Sequence, residues 1–217
     1  MKFVLLIFIL SLQSCLYFFG SDYDVTIDKV RKLKIAEKKA GKKNPIYDGV
    51  VEPDFPDGGE NDKTYEGVDS NHDGVRDDVE IWINRTADDQ YIRLQLKDYY
   101  KAVLASHLIL LDKNESVEKK NKLYQIDSEK MYCFFVLLNP YKDLYVRKKI
   151  DVQIYYSQTL EKLIFNTRLR KELVSLYDHF PYASFVTNGT DDFSECSGKI
   201  PGSYFKKIRD DAILKNK

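Results

Sequence analysis

Residues 90–111 read QYIRLQLKDYYKAVLASHLILL, and Ile92, Leu96, Tyr99, Val103, His107 and Leu110 recur there at spacings of three and four. That period draws one apolar stripe along a helix, or along two abutting ones, and the helical pattern begins at Val79. Lys113-Asn114 ends it. Ser116 to Leu138 repeats the theme and grows more apolar toward its end, where Pro140 stops it for want of an N–H. A third stretch, Tyr141 to Phe180, sets Ile150, Ile154, Ser157, Leu160 and Ile164 on one side, then Leu169, Leu173 and Leu176. Within it Ile150-Asp151-Val152-Gln153-Ile154 alternates as a strand would, but the surrounding helical period is longer and overrules it. Pro181, Asn188-Gly189 and Pro201-Gly202 mark 181–202 as loops, and Ser203 caps a last helix ending near Lys215. The fold class predicted is all-α, an antiparallel helical bundle.

Just upstream, residues 69–80 read Asp-Ser-Asn-His-Asp-Gly-Val-Arg-Asp-Asp-Val-Glu, the twelve-residue EF-hand loop pattern at each defining position. Calcium is a hard cation that takes six to eight oxygens, and the loop offers them in order. Asp69, Asn71 and Asp73 supply side-chain oxygens, Val75 its carbonyl, Asp77 a contact through water, and Glu80 both carboxylate oxygens. Gly74 permits the sharp bend. Four carboxylates held this close repel one another unless a cation compensates them, which is the physical case for Ca2+. The bland reading is a solvated acidic turn with Asp77 or Asp78 capping the next helix. No helix enters the loop, no second loop occurs, and Arg76 holds the position where paired loops carry an apolar residue. The expected ion is therefore a structural one of weak affinity, not the trigger of a groove-opening sensor.

The chain of 217 residues carries 34 Lys+Arg against 34 Asp+Glu, a balance that removes the basic footprint nucleic-acid binding requires. The zero hides segregation: residues 21–50 are net +3, residues 51–80 net −9 and residues 81–217 net +5. Residues 41–68 hold Pro45, Pro53 and Pro56 with several glycines and little period, so 15–65 is expected to be a tether and acidic extended linker. Within it Thr26 to Lys39 fits either a short basic helix or a solvated tether. The domain proper is expected at 66–217.

Residues 1–15 read MKFVLLIFILSLQSC: Lys2, an apolar run from Phe3 to Leu10, and a small-residue cleavage site. The run is too short for a bilayer core of about 30 Å, so a removed signal of residues 1–14 is expected rather than a spanning helix. Leu12-Gln13-Ser14-Cys15 resembles the lipobox of bacterial lipoproteins, which implies diacylation of Cys15, a membrane anchor and an envelope location, with the outer membrane as the expected site. An ordinary signal, or an uncleaved anchor running through Phe19, are the alternatives. Cys133 and Cys196 remain, an even pair in an oxidising compartment, and are expected to form a disulfide; the rival reading makes Cys133 a buried small hydrophobe.

The segment Gly67 to Glu80 is similar to the single calcium loops of dockerins and thrombospondin type-3 repeats. The chain more closely resembles uncharacterised exported proteins of Gram-negative bacteria in which one such loop precedes a helical domain. Those carry a mid-domain cysteine, matched by Cys133, and an Asn-Thr-x-x-Arg segment, matched by Asn166-Thr167-Arg168-Leu169-Arg170. The resemblance implies no activity. The sequence itself holds no Gly-x-Ser-x-Gly, His-Glu-x-x-His, phosphate loop or Cys-x-x-Cys. His72 sits at a non-ligand loop position, His107 on the apolar stripe, and His179 beside Asp178, which a helix turns away from it. Tyrosine pairs such as Tyr99-Tyr100 fill core and rim. The expected function is a calcium-binding envelope lipoprotein, a helical binding or scaffold module with an envelope protein or glycan partner. The alternative is an envelope hydrolase acting on glycan or peptidoglycan.

Overall fold

The computed structural model describes residues 21–87, 89–138 and 152–180, and these are mostly helical. The chain divides into two units, Met1–Asn44 and Pro45–Lys217. In the first, α1 spans Ser21–Lys39, so the basic stretch is a helix rather than a solvated tether. Gly41 N bonds Lys38 O and Lys42 N bonds Glu37 O, which satisfies its last carbonyls. Cys15 with the signal segment, Cys196, the 181–202 loops and the Ser203–Lys215 helix lie outside the described residues.

The second unit opens where an extended linker is expected, and the structure has folded chain there. Strands β1 (Ile46–Tyr47) and β2 (Val50–Val51) pair antiparallel, Tyr47 opposite Val50. Asp48 and Gly49 between them take φ of 53° and 85°, the left-handed pair that a two-residue hairpin uses. A one-turn helix α2 (Gly58–Asn61) follows, capped by Asp57 Oδ1 accepting from Gly59 N at 2.8 Å. The segment is tied down by charge. Arg85 forks onto Glu52 at 2.7 and 2.8 Å, and Arg93 onto Asp48 at 2.7 and 2.9 Å.

The helices are α3 (Asp77–Thr86), α4 (Gln90–Leu108, continued by a 3-10 turn Ile109–Leu111), α5 (Val117–Leu138), α6 (Val152–Ile164) and α7 (Arg168–His179). The apolar stripe of α4 makes it the hub, in contact with α3, α5, α6 and α7. Ile81, Trp82 and Ile83 are each fully buried, so α3 is covered on every side. Tyr99 stacks on Phe134 at 5.9 Å and Trp82 meets Tyr156 edge-on at 6.0 Å, which joins α4 to α5 and α3 to α6.

The third predicted stretch is broken by residues 165–167, because Thr167 caps a new helix, its Oγ1 accepting from Arg170 N at 3.1 Å. Val152 to Ile154, in the locally alternating piece, is helical. Among the described residues no helix is long and apolar enough to cross a membrane.

Candidate metal centre

Residues 69–80 fold around their own carboxylates. Asp69 Oδ1 accepts from Asp73 N at 3.3 Å and its Oδ2 from Gly74 N at 2.9 Å. Asn71 Oδ1 takes Asp73 N at 3.1 Å, Asp73 Oδ1 takes Val75 N at 2.8 Å, and Asp77 Oδ1 takes Ser70 N at 3.0 Å. His72, exposed, and Gly74 bend the backbone left-handed, at φ 57° and 84°. Val75 is fully buried, and Asp77 N bonds Val68 O at 2.8 Å, which draws the two ends of the loop together.

The charge of the loop is met from outside it. Lys97, on α4, brings its ammonium to 2.5 Å from Glu80 Oε1 and 3.4 Å from Asp73 Oδ2. The other Glu80 oxygen accepts from Asn71 Nδ2 at 2.9 Å. Burial pushes the Glu80 and Asp77 carboxyls above the usual range, against the pull of Lys97 on the first and of Ser70 on the second. In this arrangement no three His, Cys, Asp or Glu side chains among the described residues gather closely enough to hold a metal. The donor set is nonetheless all oxygen and suits a hard cation. Calcium fits the residues present on two conditions: Lys97 withdraws, and Asn71 turns its oxygen rather than its nitrogen inward.

Beside the loop lies a buried ionic knot. Arg76, 1% exposed, places Nε 2.5 Å from Asp78 Oδ1 and gives Nη2 to Leu163 O on α6 at 2.6 Å. Asp78 Oδ2 also takes Asn61 Nδ2 at 3.1 Å, and Asn61 Oδ1 takes Val68 N at 3.0 Å. Arg170 of α7, fully buried, reaches Tyr65 O at 3.0 Å, Thr64 O at 3.2 Å, Asn166 Oδ1 at 2.7 Å and the Asn61 carbonyl. Gly67, φ 75°, passes so close that a Cβ would strike Arg76, Asn61 and Arg170. The Asn-Thr-x-x-Arg segment is therefore mechanical in its effect, since Thr167 starts α7 and Asn166 aims the arginine that staples residues 61–65.

Elsewhere Ser106, His107 and Asp127 come together without forming a nucleophilic triad. Ser106 Oγ lies 3.0 Å from Asp127 Oδ2, but His107 Nδ1 sits 2.7 Å from the Val103 carbonyl, to which it gives its proton. It has no lone pair there for the serine at 3.2 Å, and the acid touches the serine instead of the histidine. His179 is held through Nδ1 by Ser175 O at 2.6 Å. Cys133 is buried on α5. Lys97, Asn61 and the pairing of Asp78 with Arg76 escape a reading of the sequence; Arg76 and Arg170 leave traces, one as the wrong residue type for a paired loop, the other in a short motif. No family model, curated protein or solved structure matches the chain.

Proposed function

We propose that residues 69–80 form a calcium loop that locks the 45–68 segment onto an antiparallel helical bundle. The protein is then an envelope lipoprotein anchored through Cys15, its bundle braced by a Cys133–Cys196 disulfide and serving as a binding or scaffold module. The observation that carries the reading is the run of side-chain acceptors at 69, 71 and 73 turned onto the loop's own N–H groups, with left-handed bends at 72 and 74. Such a backbone is already shaped for a cation. Asp69, Asn71, Asp73 and Glu80 would hold it with the Val75 carbonyl, and Asp77 through water. The ion supplies two positive charges where Lys97 supplies one. The hydrolase alternative draws no support from Ser106, His107 and Asp127 as they are wired.

Calorimetric titration of the full chain with calcium tests this. One site is expected, with a Kd of about 10⁻⁴–10⁻³ M and a rise in melting temperature. Asp69→Ala with Glu80→Ala removes both; absence of binding in wild type and in Lys97→Met alike sinks the reading. Lys97→Met removes the competing ammonium and tightens binding about tenfold. Mass mapping for a Cys133–Cys196 peptide tests the bridge, and palmitate labelling that survives Cys15→Ser refutes the anchor.

A further inference from the structure

Helices α4, α5, α6 and α7 line a cavity of about 270 Å³ that shares no lining residue with the calcium loop. Its wall contains three acids, Asp127, Glu161 and Asp178, and no lysine or arginine among the described residues. His107 in the same wall is kept neutral, its pKa pulled down to about 4 chiefly by burial. One of the acids, Asp127, is deep, while Glu161 is more exposed. Asp127 is 7% exposed, and its Oδ2 takes hydroxyl protons from Ser106 at 3.0 Å and Tyr177 at 3.2 Å. Glu161 Oε1 takes the Tyr99 hydroxyl at 3.2 Å. These bonds use one oxygen of each carboxylate and leave Asp127 Oδ1 and Glu161 Oε2 for something else.

Three hydroxyl donors of the wall are spent. Tyr99 and Tyr177 have given their protons to the carboxylates, and Ser128 has given its own to Tyr124 O at 3.0 Å. What faces the cavity is acceptor-rich and donor-poor. A sugar, which brings acceptors and donors in equal measure, finds half its needs unmet there. An ammonium has three donors and no acceptor, and it compensates charge that burial makes costly. Aromatic faces in the wall add to the attraction for a cation.

We propose that this cavity binds a small organic amine as its ammonium ion, the charge lodged between Asp127 and Glu161 and the apolar body against Tyr124, Met131 and Phe165. A cavity of about 150 Å³ lined with apolar side chains holds benzene, so this one takes a body of about ten non-hydrogen atoms. The site stands independently of calcium.

The probe pair is phenethylamine and 2-phenylethanol, which share a shape and differ in charge, titrated calorimetrically into the full chain with N-acetylglucosamine alongside. The amine should bind and raise the melting temperature, and the alcohol should bind at least about tenfold more weakly. Asp127→Asn and Glu161→Gln, checked for native circular dichroism, should each weaken the amine by a similar factor. Equal binding of amine and alcohol, no amine binding, binding of the sugar in its place, or full affinity in both variants overturns the proposal. The wild-type comparison decides even if one variant fails to fold.

Discussion

The acidic segment before the helices and the acid-lined cavity within them treat buried carboxylates in opposite ways. In the first, three of the four deep acids have a cation of the chain's own: Glu52 has Arg85, Asp78 has Arg76, and Glu80 has Lys97, while Asp77 takes the Ser70 N–H. In the cavity the buried Asp127 and the more exposed Glu161 have hydroxyl donors and no cation among the described residues, and burial pushes the Asp127 carboxyl up to about 6. The difference sets what each region can accept. A metal entering the loop has to displace an ammonium already in place, so its net gain is small. A cation entering the cavity displaces no charge and relieves desolvation, so its net gain is large.

The largest effect should come from taking a cation out of the compensated region. Arg170→Ala takes the donor from the carbonyls of Asn61, Thr64 and Tyr65, of which the Asn61 contact is buried, and leaves a void where a buried guanidinium packs. A loss of about 3–5 kcal/mol is expected in urea denaturation, since the deleted side chain leaves a cavity and a buried carbonyl loses its donor. A loss below about 1 kcal/mol would mean the 61–65 segment is held by something other than this arginine.

What can be read in the sequence depends on where the partners lie in the chain. The helices are legible because their signal is local, a period of three and four from Ile92 to Leu110. The ligand set of the loop is legible for the same reason, all of it falling within twelve residues. Residues 45–65 are not, although Asp48-Gly49 is a recognised hairpin pair. Their partners Arg85, Arg93 and Arg170 lie 33, 45 and 105 positions away, and nothing in the composition distinguishes a stapled Pro/Gly segment from a free one. Lys97 is hidden by being ordinary, a lysine on an amphipathic helix. Asp127 is hidden likewise, in the polar run Tyr124-Gln125-Ile126-Asp127-Ser128-Glu129, where packing that brings Ser106 of α4 and Tyr177 of α7 onto it makes it deep.

The next effect reverses the sign of the first. Asp127→Asn removes a charge that no cation among the described lining residues balances and keeps an oxygen acceptor for Ser106 and Tyr177. The ordinary carboxyl value is 3.8, and the folded value is about 6. Between these the folded state holds a proton that the unfolded state has lost, so wild-type stability falls as pH rises and the full penalty stands above about pH 6. His107 works the other way, unloading its proton near 4 in the fold against 6.5 outside it, which raises stability across much the same window. Glu161, also pushed up by burial, adds to the falling slope, and Asp178 lies in the same wall. The variant should therefore gain on wild type by about 2–3 kcal/mol between about pH 4 and pH 7, read from denaturation midpoints at the two pH values. A pH-independent difference would place Asp127 in a solvated setting and dissolve the contrast between the two regions.

The smallest effect tests whether hydroxyls are what holds the cavity acid in its ionised form. Tyr177→Phe keeps the parallel stack on His107, whose rings lie 4.0 Å apart, and deletes only the donor to Asp127. That bond lowers the Asp127 pKa against the effect of burial, so its removal drives the carboxyl further up. The loss should be about 1 kcal/mol at about pH 7, where the acid is charged and the bond is charge-assisted, and it should shrink toward about pH 4, where the acid is protonated. Bound amine should restore part of the loss at neutral pH, because an ammonium on the free oxygen stabilises the same ionised form. A loss equal at both pH values would mean the hydroxyl acts through some other contact, and the cavity carboxylate would then be held by Ser106 alone.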